Sequence, residues 1–320
     1  MQSSELTQQL RDIATRSGIM LFGVAPIERF EPMPPYYDRV PKGQDPRDFL
    51  PTAKSVISMA VPILNAALDA PARLNEMELE MYPDDVKSEW LETVYNHIGH
   101  YNQNNILLSA SQFLGQHLLL AGYDTMIFPA ASVQIPNVTE RMAKSKFGFL
   151  SGPISHRHCA TRAGLGEFGY HNIVITPQFG TRQRFSTVVT EAELEPTPLL
   201  DKPLCLREKC GMCLRACYKD AIFLRDDKRF IDYRTVEKIQ NDIIFIETPS
   251  KTSPVRCRDR SNDGEQFIVR GDCLRVCPLP KVPKNLSGRL QGIINDWKAG
   301  WRYGDERKQR TRSSGARKKD

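Results

Sequence analysis

The sequence predicts a mixed α/β (α+β) chain, built as a layered domain followed by a small cysteine-rich one. Three observations predict it. Amphipathic helical stretches alternate with short β-branched runs through residues 1–192. A loop carrying Pro196, Pro198 and Pro203 then interrupts the pattern. Seven of the eight cysteines follow that break: Cys205, Cys210, Cys213, Cys217, Cys257, Cys273 and Cys277.

The elements follow in order. Residues 4–17 read as a helix with Leu6, Leu10, Ile13 and Ala14 on one face and Gly18 as its stop. Residues 19–24 read as a buried strand, and the proline-rich stretch 25–52 as loop. Val56–Val61 is a second strand closed by Pro62, and residues 76–92 are an acidic surface helix. Residues 91–121 read as a long helix whose buried face carries Ile106, Ala110, Phe113, Leu114 and Leu118, ended by Gly122. A strand follows at 125–128. Residues 173–176 and 185–190 read as a strand pair around a turn at 177–181. The expected domains are 1–200, 201–285, and a C-terminal helix with a basic, disordered tail at 286–320.

With 320 residues, 40% hydrophobic and 26% charged, the composition is that of a soluble globular protein. No apolar run approaches the roughly 20 residues of a membrane helix. The N-terminus shows neither a signal peptide nor a twin-arginine signal, so the expectation is a cytoplasmic protein with no membrane partner. The net charge of +6 is concentrated at the end: residues 302–320 hold eight Lys/Arg and three Asp/Glu, 8 − 3 = +5. Such a tail is either a solvated end or a contact for nucleic acid or another acidic partner.

The cysteine spacing reads as iron–sulfur ligation. A C-x2-C-x3-C run suits a cubane cluster, because one loop wraps a corner while its last thiolate points to another iron site. Pro278 after Cys277 is the usual punctuation. Zinc and disulfides are the rivals: zinc also uses C-x2-C, but usually in two matched pairs, and disulfides belong to oxidising compartments. By the two-cluster ferredoxin pattern, Cys205, Cys210, Cys213 and Cys277 hold one [4Fe–4S] cluster. Cys217, Cys257 and Cys273 are left for a second, three-thiolate site, with Arg270 where a fourth cysteine is expected. Cys159 is unassigned and reads as a small buried hydrophobe. Gly164, Gly166 and Gly169 let backbone approach a flat or phosphate-bearing ligand, or else form a tight turn. As a dinucleotide fingerprint they lack a preceding strand and a later acidic residue.

Several motifs then resemble those of one superfamily. Ala163-Gly164-Leu165-Gly166-Glu167, Ile175-Thr176-Pro177, Phe179-Gly180, Arg182, Arg184 and Asp201-Lys202-Pro203 fall in register with the reductive dehalogenases and their relatives, the epoxyqueuosine reductases. The match runs from about residue 95 to 280. The resemblance implies a base-off cobalamin in a nitroreductase-like domain, fed by two clusters in a ferredoxin-like one. It places Ser151, Gly152, His156, His158, Gly164, Leu165, Gly166 and Gly169 at the cofactor. Tyr101 and Tyr170 become the candidates for proton transfer, a nearby cation such as Arg162 lowering the phenol pKa. The sequence also departs from the pattern. Leu150 stands where epoxyqueuosine reductases carry an Asp, Tyr170 replaces a basic residue of dehalogenases, and Tyr218 replaces a proline.

The expectation is thus a corrinoid-dependent iron–sulfur reductase acting on a small molecule, with a ferredoxin- or flavodoxin-type electron donor. The alternatives are an electron-transfer or corrinoid-handling protein without substrate chemistry, and an epoxyqueuosine reductase-like tRNA-modifying enzyme.

Overall fold

The computed structural model describes residues 2–31, 45–76, 98–128, 130, 154–217, 220–224, 249–252 and 271–279. Helix α1 (Ser3–Arg16) buries Leu6, Leu10 and Ala14, a four-residue spacing that keeps them on one face. Gly18, at φ +86°, turns the chain into β1 (Leu21–Pro26). A 3₁₀ turn (Ile27–Phe30) and a short helix α2 (Pro46–Phe49) occupy the described part of the stretch expected to be loop. Asp45 caps α2 in a reciprocal box with Asp48. Strand β2 (Ser55–Pro62) leads to α3 (Asn65–Glu76), an unexpected helix, and then α4 (Asn102–Leu120) and β3 (Thr125–Phe128) follow. The expected acidic helix lies almost wholly outside the described residues.

Helix α5 (His156–Arg162) precedes two short strands, β4 (Glu167–Phe168) and β5 (Val174–Ile175), and the long β6 (Gln183–Thr190). The main sheet is antiparallel, in the order β1-β2-β6-β3, with Val24, Ile57, Val188 and Ile127 in one row. Alternate residues face opposite sides. Val24, Ile57, Met59, Val61 and Val188 pack against Leu6, Leu10, Leu107, Leu114 and Leu118 of α1 and α4. Ala25, Val56, Ala60 and Val189 pack against Cys159 and Ala160 of α5. Cover on both faces is why β2 reads as a continuous apolar run. Burying each such leucine is worth roughly 1.5–3 kcal/mol.

Two expectations are corrected. The strands near 174 and 185 do not pair with each other: β5 pairs with β4, and β6 pairs with β2 and β3. Only side chains tie β5 to β6, as Gln183 donates to the Val174 carbonyl at 2.9 Å. On α4, Ile106 and Phe113 are 39% and 52% exposed, while Gln103, Asn104, Leu107 and Ser111 are buried. The buried face is therefore rotated toward polar residues, because Ser111 meets Ser186 and Asn104 meets Arg184 on β6. No helix among the described residues is long and apolar enough to cross a membrane.

Candidate metal centre

The glycine segment lies between α5 and β4, so it follows a helix and enters a strand, the reverse of a dinucleotide turn. Its tight approaches are to the protein itself. A Cβ on Gly164 (φ +73°) would sit 2.1 Å from the Pro198 carbonyl oxygen, and one on Gly166 would sit 2.2 Å from that of Ile175. One on Gly169 would meet the His171 ring at 2.6 Å. Leu165 is buried against Gly23. The loop at 193–203 is likewise packed into the main core: Leu194 is buried there, and the Thr197 amide donates to the Val24 carbonyl at 2.9 Å.

From β4 the chain fixes the first cysteine. The Glu167 carboxylate accepts hydrogen bonds from the backbone N–H groups of Leu204 and Cys205. A 3₁₀ turn (Arg207–Lys209) and Gly211, left-handed at φ +59°, then wrap the chain into α6 (Met212–Ala216). Arg215 holds the wrap by donating to the Cys210 carbonyl at 2.7 Å. The Ala221 amide donates to the Cys217 sulfur at 3.1 Å, and a small ladder, β7 (Ile222–Leu224) with β8 (Ser250–Thr252), closes the module.

The second cysteine segment enters as α7 (Asp272–Arg275), docked on the main domain by buried polar groups. Arg275 pairs with Asp272 at 2.5 Å and donates to the Leu68 carbonyl of α3 at 3.2 Å. Arg182 donates to the Arg275 carbonyl at 3.1 Å and faces Asp69 at 3.5 Å. Thr181 donates to the Leu274 carbonyl at 3.0 Å. These contacts deliver Cys277 to the first cysteine loop.

Cys205, Cys210, Cys213 and Cys277 line one pocket, together with Tyr170 and His171. Burial pushes the Cys277 thiol up to about 12, with Cys210 and Cys205 adding to it. Burial also holds Cys213 well above the usual thiol range, as do the neighbouring Cys273, Cys277, Cys205 and Cys210. Thiolate ligation must displace those protons. Cys217 and Cys273 pack against the same apolar cluster, formed by Tyr170, Cys213, Leu214 and Ile222. Among the described residues no group of three or more His, Cys, Asp or Glu side chains is arranged to hold a single ion. The thiols surround a space instead. Soft donors around a largely apolar space fit an iron–sulfur cluster. Cys257, Arg270, Tyr218, Leu150, Ser151, Gly152 and the basic tail lie outside the described residues.

The remaining candidates are placed as follows. Tyr170 is buried and donates its hydroxyl to Glu208. Burial first, then that bond, raises its pKa, so the expected lowering by a cation is corrected. Arg162 is turned instead to the Phe30 ring, at 5.1 Å, and to the Arg29 carbonyl. Tyr101 is half-buried at the head of α4 and is not among the residues that line the thiol pocket. His156 Nδ1 pairs with Thr187 at 2.8 Å, and His158 Nδ1 with Ser155 at 2.5 Å. Burial, then Arg162 and Arg157, holds His158 well below the usual imidazole range. Cys159 is a buried thiol pushed up to about 12 by burial. The space where a Cβ would point from Gly164, Gly166 and Gly169 is filled by the protein's own Pro198, Ile175 and His171. Sequence reasoning missed Glu167 as a clamp, Glu208 as the partner of Tyr170, and the Arg182–Arg275 dock. The in-register Glu167 and Arg182 were the only signals for them.

No family model matches the chain. Over 87 residues it is 37% identical to the tetrachloroethene reductive dehalogenase of Desulfitobacterium hafniense, covering 26% of this chain and 15% of that protein. Over 268 residues it is 24% identical to the epoxyqueuosine reductase of Staphylococcus aureus, covering 78% of this chain and 61% of that one. The chain therefore spans less than two thirds of either relative. A solved reductive dehalogenase, described as suggesting a mechanism for B12-dependent dehalogenation, superposes with a TM-score of 0.53 at 12% identity, covering 92% of this chain and 34% of that one. Relatives named for both reductases, and a shared mixed helix-and-sheet fold, agree with the superfamily resemblance.

Proposed function

We propose that this chain is an iron–sulfur reductase of the dehalogenase and epoxyqueuosine reductase type. The observation that carries the proposal is the convergence of Cys205, Cys210, Cys213 and Cys277, from segments about sixty residues apart, on one pocket. A cluster held there supplies single electrons at low potential. The chain's own residues do the rest. Glu167 fixes the Cys205 backbone, Arg182 and Arg275 seat the Cys277 segment, and the apolar walls exclude water. Cys217, Cys257 and Cys273 hold the second cluster in this reading. Tyr170, held by its hydrogen bond to Glu208, acts as a wall of the first, with the phenol keeping its proton, rather than as an acid.

The corrinoid that the resemblance implies is the acceptor to test, and the solved dehalogenase described in terms of B12-dependent dehalogenation supports it. Anaerobic reconstitution followed by iron, sulfide and zinc quantitation tests the clusters. About seven to eight irons per chain are expected, and bound zinc without sulfide contradicts the proposal. Titration of the loaded protein with cobalamin, read by its visible spectrum, tests the acceptor. A small-molecule substrate, a ferredoxin- or flavodoxin-type donor and a cytoplasmic setting complete the reading. Turnover of epoxyqueuosine on a tRNA stem would replace the small-molecule substrate, and with Leu150 in place of a carboxylic acid little turnover is expected.

A further inference from the structure

We propose that His171 is a positioning residue for the first cluster, donating an Nε2–H hydrogen bond to one of its sulfurs and thereby setting its reduction potential. The inference rests on the cluster reading above and adds a residue to it. His171 lines the thiol pocket and is 3% exposed. Its Nδ1 accepts a hydrogen bond from the Ile173 backbone N–H at 3.1 Å. An amide can only donate, so Nδ1 carries a lone pair there and the neutral ring holds its proton on Nε2. That Nε2 is buried and meets no hydrogen-bond partner among the described residues. A buried donor without an acceptor is costly. The ring lines the pocket of four cysteines, and a sulfur of the cluster held there would supply the missing acceptor.

The surroundings hold the ring in that orientation. Gly169 leaves room for it, since a Cβ there would lie 2.6 Å from Cε1 and 3.0 Å from Nε2. Thr252 of β8 donates to the His171 carbonyl at 3.4 Å, and Ser250 donates to that of Tyr170 at 2.5 Å. The same tautomer argues against iron ligation by His171, because a ligating Nε2 needs its proton on Nδ1, where the Ile173 N–H already points. The pocket has four cysteines without it. Hydrogen bonds to cluster sulfurs favour the reduced, more negative state and raise the potential.

The test compares wild type, His171→Leu and His171→Gln as anaerobically reconstituted full-length proteins with iron and sulfide contents measured. Spectroelectrochemical titration should give a lower first-cluster potential for the Leu variant. An equilibrium change of about tenfold corresponds to about 59 mV in a one-electron couple. The Gln variant, which keeps an N–H donor, should stay near wild type. Equal potentials in all three, or a Gln variant as low as Leu, overturn the inference. Wild-type protein labelled with ¹⁵N-histidine needs no variant, and its reduced-cluster pulsed EPR should show a weak nitrogen coupling. Absence of that coupling also overturns the inference. A wild type that assembles no cluster instead contradicts the cluster reading itself.

Discussion

Gly164 and Gly122 separate two reasons for a glycine. Both have positive φ, but a Cβ on Gly164 meets the Pro198 carbonyl, whereas one on Gly122 meets nothing within 4 Å. Gly122→Ala should cost about 1 kcal/mol, the left-handed strain alone. Gly164→Ala should cost about 2–4 kcal/mol, because backbone must also move. Urea unfolding of the two variants checks the difference, and equal losses would contradict the contact. His158 makes a pH prediction. Burial depresses its folded pKa from an ordinary 6.5, so the unfolded chain takes up a proton that the folded chain refuses. Its contribution is present above about pH 6.5 and is lost as pH falls below it, by up to about 1.4 kcal/mol per unit. Comparing wild type with His158→Gln at pH 7.5 and 5.5 should show a shallower loss in the variant.

At the scale of elements, the docking of α7 is the contact on which the pocket depends. Arg275 and Asp272 are both buried, at 1% and 3% side-chain exposure. Arg275→Met removes the guanidinium that pairs with buried Asp272, which should cost up to about 3–5 kcal/mol locally. Cys277 should then leave the pocket, and iron content should fall while the circular dichroism of the main sheet persists. Full iron content in that variant would show that α7 is held by something other than this pair. The sequence shows why some elements were legible and others not. α1 and β2 announce themselves by spacing and by a continuous apolar run. The face of α4 does not, because Ser111 and Asn104 are buried for partners on β6, a tertiary choice that periodicity cannot express. The β4–β5 pairing was hidden for a similar reason. Each strand has only two residues, too few to show a period.

For the whole molecule, the cysteine spacing carried the candidate site, and the structure brings the four thiols of the first predicted cluster into one pocket. Glu167 and Arg182 stood out in register, but the clamp and the dock through Asp69 and Arg275 were not legible as contacts, since single charged residues so far apart carry no pattern that pairs them. They tie the cysteine module to β4, to α3 and to the start of β6. The most direct test is EPR spin quantitation of dithionite-reduced protein carrying Cys277→Ala or Cys205→Ala singly. Both substitutions should remove the same [4Fe–4S] signal and leave a second signal in place. Loss of different signals in the two variants, or retention of the Cys205-dependent signal in Cys277→Ala, would contradict the shared cluster.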